Sequence, residues 1–108
     1  MGLEIDSDKA YIVVHWDSKP RIPEVRILKI FYAYTSAHRY YLEELEYLRD
    51  KVEYGHEWLY LFKLPFSWVD ENDWEASIGM WSTSLGAIIQ TNIDKIDILA
   101  STILGEKK

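Results

Sequence analysis

The chain has 108 residues, a net charge of −6 and no cysteine. This length fits a single domain, residues 1–108, that can bury a core without disulfide or metal staples. The missing cysteines exclude disulfides, thiolate nucleophiles and zinc sites built on cysteine. Because an acidic surface repels phosphate backbones and attracts basic proteins, we expect a protein partner and no direct binding of nucleic acid.

The first residues, MGLEIDSDK, lack the basic and apolar regions of a secretory signal. The longest mostly apolar stretch, residues 58–69, is too short for a membrane span. We therefore expect a cytoplasmic protein that does not engage a membrane. The five tryptophans and eight tyrosines suit both a small core and a protein interface.

Residues 10–16 (AYIVVHW) are β-branched and aromatic, which predicts a strand. The next segment, residues 25–34, allows two interpretations. It could form a hairpin with residues 10–16, followed by a helix that begins at Thr35 or Ser36. We favour the second interpretation, one continuous helix from about residue 24 to Tyr54, because a periodic stripe crosses Thr35 without losing phase.

This stripe has apolar or aromatic side chains at steps of four and three, the spacing of a helix packed on another helix. It consists of Ile27, Phe31, Tyr34, His38, Tyr41, Leu45, Leu48 and Val52. Its partner is either a second helix of the same chain or another copy of the chain. If it is another copy, the oligomer seam comprises Phe31, Tyr34, His38, Tyr41 and Leu45.

His38 is the one polar residue of the stripe. A lone histidine on an apolar helix face is most often a satisfied core or interface residue. A polar residue at a seam position also fixes register and partner number. We therefore predict that His38 has a structural or specificity role rather than a catalytic one.

Residues 57–64 (EWLYLFKL) predict a buried strand that pairs with residues 10–16. Asn72, followed by Glu75, marks the start of a helix. A second stripe supports that helix and consists of Trp74, Ile78, Trp81, Leu85 and Ile88. The last segment, residues 94–104, fits either a helix or a strand, and we favour the helix.

These elements predict an α+β fold. A small two-strand element, residues 10–16 and 57–64, packs on the long amphipathic helix and on one or two C-terminal helices. An all-α helical hairpin bundle is the alternative. Neither a linker nor an internal repeat divides the chain.

In the segment RDKVEYGH, Arg49 is followed by Asp50 and, after six intervening residues, by His56. This pattern is similar to that of the HEPN ribonucleases, which are all-helical and usually dimeric. The resemblance implies that His56 handles the proton of a ribose hydroxyl while Arg49 steadies the phosphate. The alternative is a surface arginine in a salt bridge and a histidine that follows the end of a helix.

Glu53 and His56 have the Glu-x-x-His spacing of di-metal bundles, but the second pair that such sites need is missing from the sequence. The three histidines, at 15, 38 and 56, fall in separate predicted elements. The sequence also has no glycine-rich phosphate loop and no nucleophile elbow. We therefore predict no metal, no cofactor and no catalytic residue.

The expected function is a non-catalytic macromolecular-interaction module, of the inhibitor or immunity type, that masks a basic partner. A structural homo-oligomer and the HEPN-like ribonuclease are the alternatives. The predicted partner-binding residues are two acidic runs with adjacent tryptophans: Glu43, Glu46, Asp50, Glu53, Trp68, Asp70, Glu71, Asp73 and Trp74.

Overall fold

The computed structural model describes residues 8–51, 56–71, 78–79, 81 and 83–104. Within them the elements follow in the order β1 (Lys9–Asp17), β2 (Glu24–Phe31), α1 (Tyr34–Arg49), β3 (Glu57–Pro65), α2 (Phe66–Glu71), α3 (Ser84–Thr91), a 3₁₀ turn (Ile93–Lys95) and β4 (Asp97–Leu104). The strands form one antiparallel sheet in the order β2-β1-β3-β4. The fold is therefore α+β, and the all-α alternative is wrong.

The predicted two-strand element is wrong, because the sheet has four strands. β1 does lie beside β3, with Ala10 opposite Leu64 and Trp16 opposite Trp58. However, β2 pairs with the other edge of β1, and β4 pairs with the free edge of β3. These two added strands come from the segments whose local pattern fitted both a helix and a strand.

The continuous helix from residue 24 to Tyr54 is also wrong, since Glu24–Phe31 is β2 and the helix begins at Tyr34. Residues four apart share a face in a regular strand as well as in a helix, so the step of four did not separate the two. A β-bulge opposite Val13 and Val14 then shifts the phase of β2. As a result Ile27 and Phe31 pack in different core clusters.

Helix α1 packs its stripe against the sheet of its own chain. Ala37, Tyr41 and Leu48 are buried there, and Leu45 packs beside them. At the start of the helix, His38 stacks on Tyr34 with 5.4 Å between the ring centroids. The stripe therefore finds its main partner within the chain, while Val52 lies outside the described residues.

The second predicted helix is wrong at Ile78 and Trp81. Both residues make isolated β-bridges to β2, Ile78 with Ile27 and Trp81 with Arg26. The helix of this region is α3, which begins at Ser84 and is capped by Thr83, whose Oγ1 accepts a hydrogen bond from the Gly86 amide at 3.1 Å. The predicted start at Asn72 and the stripe residue Trp74 lie outside the described residues.

The favoured C-terminal helix is wrong as well, because Asp97–Leu104 is strand β4. Pairing with β3 satisfies backbone groups that a lone β3 edge would leave open. The strand leaves Ile98 and Leu99 exposed and buries Leu104. Its helical alternative depended on a weak local preference, which the sheet overrides.

Alternate residues of β1 serve the two faces of the sheet. The α3 face receives Ala10, Ile12, Val14 and Trp16, which pack with side chains from α2 and α3. The α1 face receives Tyr11 and Val13, which pack with side chains from α1. Because both faces of β1 are covered, apolar burial, the dominant favourable term in folding, acts on both sides of the sheet.

Candidate functional site

A polar network occupies the end of the α1 face, where the apolar residues of β1 stop. After Tyr11 and Val13, the next two residues on this face are His15 and Asp17. The register places Arg26 of β2 directly opposite His15, and Glu57 of β3 directly opposite Asp17. Since directly opposed residues share a face, four polar side chains converge at this end of the sheet.

His15 is the centre of the network. It is only 5% exposed, its Nε2 lies 2.6 Å from Oε1 of Glu57, and its Nδ1 lies 3.3 Å from Nη2 of Arg26. An arginine can only donate hydrogen bonds, so Nδ1 is the acceptor and the ring proton on Nε2 is donated to Glu57. Burial lowers the pKa of His15 and so favours this neutral form, although the hydrogen bond and the charge of Glu57 act in the opposite direction.

Trp81 covers the network from the β2 side. Its ring centroid lies 5.2 Å from that of His15, and Cζ of Arg26 lies 5.3 Å from its centroid, within the range of a cation–π contact. The backbone bridge between Trp81 and Arg26 holds the indole in this place. The Nε atom of Arg26 is buried and has no hydrogen-bond partner among the described residues.

The outer part of the network consists of Asp17, His56 and Glu57, all half-buried. Nδ1 of His56 lies 3.1 Å from Oδ1 of Asp17 and 4.0 Å from Oε2 of Glu57. Ser18 anchors His56, since its amide and its hydroxyl both donate to the His56 carbonyl, at 2.9 and 2.7 Å. Lys19 anchors Asp17 by donating its amide to Oδ1 at 3.0 Å.

The polar network differs from the sequence-based expectation that the three histidines are isolated from one another. His15 and His56 do lie in different places along the chain, but the sheet brings both to Glu57. Asp17, His56 and Glu57 each offer one ligand atom, and the three atoms lie within 4.8 Å of one another. The arrangement can bind a cation or exchange protons between paired imidazole and carboxylate groups.

The HEPN resemblance does not extend to the fold. It implied an all-helical protein, whereas His56 immediately precedes β3 in a four-stranded sheet. Its neighbours there are the carboxylates of Asp17 and Glu57. Arg49 is the last residue of α1 and is exposed.

The acidic residues predicted on the helix lie on the outward side of α1. Glu43 and Glu46 are exposed there, and Asp50 is exposed at the C-cap of the helix. Leu42 and Tyr47 are 49% and 59% exposed beside them, and Nζ of Lys51 lies 4.5 Å from the Tyr47 ring centroid. We call the five residues 42, 43, 46, 47 and 50 the acidic helix surface, and Glu53 lies outside the described residues.

The second predicted acidic run is only partly described. Asp70 and Glu71 are exposed at the end of α2. Trp68 is half-buried and packs against the core of the α3 face. Asp73 and Trp74 lie outside the described residues. The structure therefore does not bring this run together with the acidic helix surface into one described site.

Sequence reasoning missed the polar network because its contacts are remote. His15 and Glu57 are 42 positions apart, and Asp17 and His56 are 39 apart. One signal was present in the sequence: His15 and Asp17 continue the alternation of Tyr11 and Val13, after a run of apolar residues from 10 to 14. Polar residues at two consecutive inward positions of a central strand need partners.

Comparisons of this chain with models of protein families, with curated proteins and with solved structures find no match. The function is therefore inferred from the polar network and the acidic helix surface. Among the described residues, we find no helix with the length and apolar character that a membrane span requires.

Proposed function

We propose that this protein is a non-catalytic interaction module that masks a basic partner protein in the cytoplasm, in the manner of an inhibitor or immunity protein. The supporting observation is the acidic helix surface, where two large exposed apolar side chains accompany three carboxylates. Apolar contacts supply the association energy of an interface, while the charges steer and select the partner.

The helix period arranges this surface as an acidic row with apolar flanks. At 100° per residue, Glu43, Glu46 and the C-cap residue Asp50 lie within about 60° of one another around the axis of α1. Leu42 then lies on one side of the row and Tyr47 on the other. A basic partner that reaches the row with arginine or lysine side chains is thus in reach of both apolar flanks.

Capture from the cytosol of the source organism tests this proposal. The immobilised protein is expected to retain a basic protein, and rising salt is expected to weaken the capture because screening acts on exposed charges. The double variant Glu43→Gln/Glu46→Gln removes two charges from the row, so capture is expected to fall. Capture of acidic proteins only, or of none, contradicts the proposal.

The matched control is Asp8→Asn/Asp94→Asn, which changes the net charge equally through two exposed acids away from α1. Its capture is expected to equal that of the wild type. An equal fall in both variants would show that net charge alone attracts the partner, and would contradict a site on α1.

Wild-type cleavage of RNA, lost in Arg49→Ala and His56→Ala, would instead support the ribonuclease alternative.

Self-association is a second candidate, favoured by β4. This strand is at the edge of the described sheet and leaves Ile98 and Leu99 exposed at 47% and 39%. An exposed apolar edge strand is a template for pairing with another chain. Light scattering is expected to show a dimer that Leu99→Lys dissociates, and a wild-type monomer at high concentration excludes this candidate.

A further inference from the structure

We propose that Asp17, His56 and Glu57 bind a divalent transition metal ion such as Zn²⁺. The three side chains offer one imidazole nitrogen and two carboxylate oxygens. These ligand atoms lie within 4.8 Å of one another. The site lies at the end of the sheet, separate from the acidic helix surface, so the inference does not depend on the proposed partner binding.

The spacing of the ligand atoms suits such an ion. Zinc binds nitrogen and oxygen ligands at about 2.0–2.2 Å, so neighbouring ligand atoms of one ion lie roughly 3–4 Å apart. Nδ1 of His56 is 3.1 Å from Oδ1 of Asp17 and 4.0 Å from Oε2 of Glu57. Small side-chain rotations therefore bring the three atoms to one ion, and a water molecule takes the fourth position of a tetrahedral site.

The surroundings orient each ligand before an ion arrives. The Nε2 proton of His15 is donated to Oε1 of Glu57, which leaves Oε2 directed to the His56 side. Backbone and hydroxyl bonds from Ser18 fix His56, and the Lys19 amide fixes Asp17. Such outer partners align ligands and strengthen metal binding.

The ligand set also selects the class of ion. The imidazole nitrogen favours zinc and its transition-metal neighbours, whereas Mg²⁺ and Ca²⁺ prefer sites made of oxygen atoms alone. Two carboxylates balance the charge of one divalent ion. When His56 binds through Nδ1, its single proton resides on Nε2, and the ion replaces the direct contact between His56 and Asp17.

Calorimetric titration of the full chain with zinc chloride tests the proposal. We expect one Zn²⁺ per chain, no comparable binding of Mg²⁺ or Ca²⁺, and a rise in the melting temperature. Asp17→Asn and Glu57→Gln are each expected to weaken Zn²⁺ binding by at least about tenfold. In Glu57→Gln the amide oxygen can still accept the hydrogen bond from His15. A loss of Zn²⁺ binding in this variant therefore reports the lost ligand and not a disrupted network.

The control is His38→Gln, which removes a half-buried histidine outside the site and is expected to leave Zn²⁺ binding unchanged. A measurement on the wild type needs no variant: Zn²⁺ is expected to shift the amide resonances of residues 17, 56 and 57 in a nitrogen–proton spectrum. The proposal is overturned if Zn²⁺ does not bind, if binding survives both ligand variants in folded protein, or if the shifts fall elsewhere.

Discussion

The two faces of the sheet use alternate residues of the same strand and end differently. On the α3 face, β1 remains apolar through Trp16, which packs in the core cluster. On the α1 face, the apolar residues stop at Val13 and are followed by His15 and Asp17. The register then supplies these two with Arg26 and Glu57 as partners. A sheet face can thus serve as core along most of its length and as a polar site at its end.

The two faces are expected to differ in what a substitution changes, either stability or binding. The α3 face has described contacts that are almost entirely apolar, so substitutions there act on the free energy of unfolding. The α1 side combines a core, the polar network and the outward acidic helix surface. On that side we expect two kinds of substitution. Those in the core should change the free energy of unfolding, and those in the network or on the helix surface should change binding more than folding.

The largest effect is expected from Phe62→Ala on the α3 face. Phe62 is fully buried in the apolar cluster, and truncation of such a residue costs about 3–5 kcal/mol of unfolding free energy. Urea unfolding followed by circular dichroism measures the loss. A loss below about 1 kcal/mol, the typical effect of any substitution, would show that the α3 face is not a closed core.

A smaller loss is expected from Tyr41→Phe, on the α1 face. The hydroxyl of Tyr41 lies 2.6 Å from Oγ1 of Thr102 and donates to the Leu59 carbonyl at 3.3 Å. Removing it should lower the free energy of unfolding by about 1 kcal/mol. Tyr47→Phe is the matched control, since this exposed side chain should change stability by less than about 0.5 kcal/mol. Equal effects in urea unfolding would contradict the described packing of α1.

The last effect on stability is expected only at alkaline pH. Burial, followed by the charge of Glu44, raises the pKa of Tyr40 from 10.0 to about 12. Between these values the unfolded chain loses this proton while the folded chain keeps it. The contribution of Tyr40 is therefore intact below pH 10 and is lost as the pH rises towards 12.

An ultraviolet titration of phenolate formation checks this expectation. Tyr40→Phe should remove one late-ionising group from the curve. Tyr41 and Tyr60 also have pKa values raised by burial, so they remain as late groups in the variant. If Tyr40→Phe instead removes an early group, the Tyr40 hydroxyl is exposed to solvent and α1 does not pack on the sheet through this residue.

The elements that sequence reasoning placed well are those with one strong local pattern. Residues 10–16 and 57–64 have runs of β-forming side chains, and the helix beyond Ala37 has strong helix formers. Residues 25–34 and 94–104 fitted two structures, and pairing with the open edges of β1 and β3 decided between them. Edge pairing is a tertiary effect that a local pattern does not contain.

The site was harder to predict than the fold. The exposure of Glu43, Glu46 and Asp50 followed from the helix pattern, and their role in binding stays a prediction. The polar network depends on which strands are neighbours, because Arg26, His15 and Glu57 meet only in the order β2-β1-β3. Without the position of β2, Arg26 could not be named as a partner of His15.

The protonation of His15 tests most directly that the α1 face ends in this ordered polar network. Nitrogen chemical shifts of the imidazole at neutral pH distinguish the two neutral tautomers and the charged ring. The network predicts a neutral His15 with its proton on Nε2, donated to Glu57, and with a bare Nδ1 that accepts from Arg26. A proton on Nδ1, or a charged ring, would contradict the network and with it the difference between the two faces.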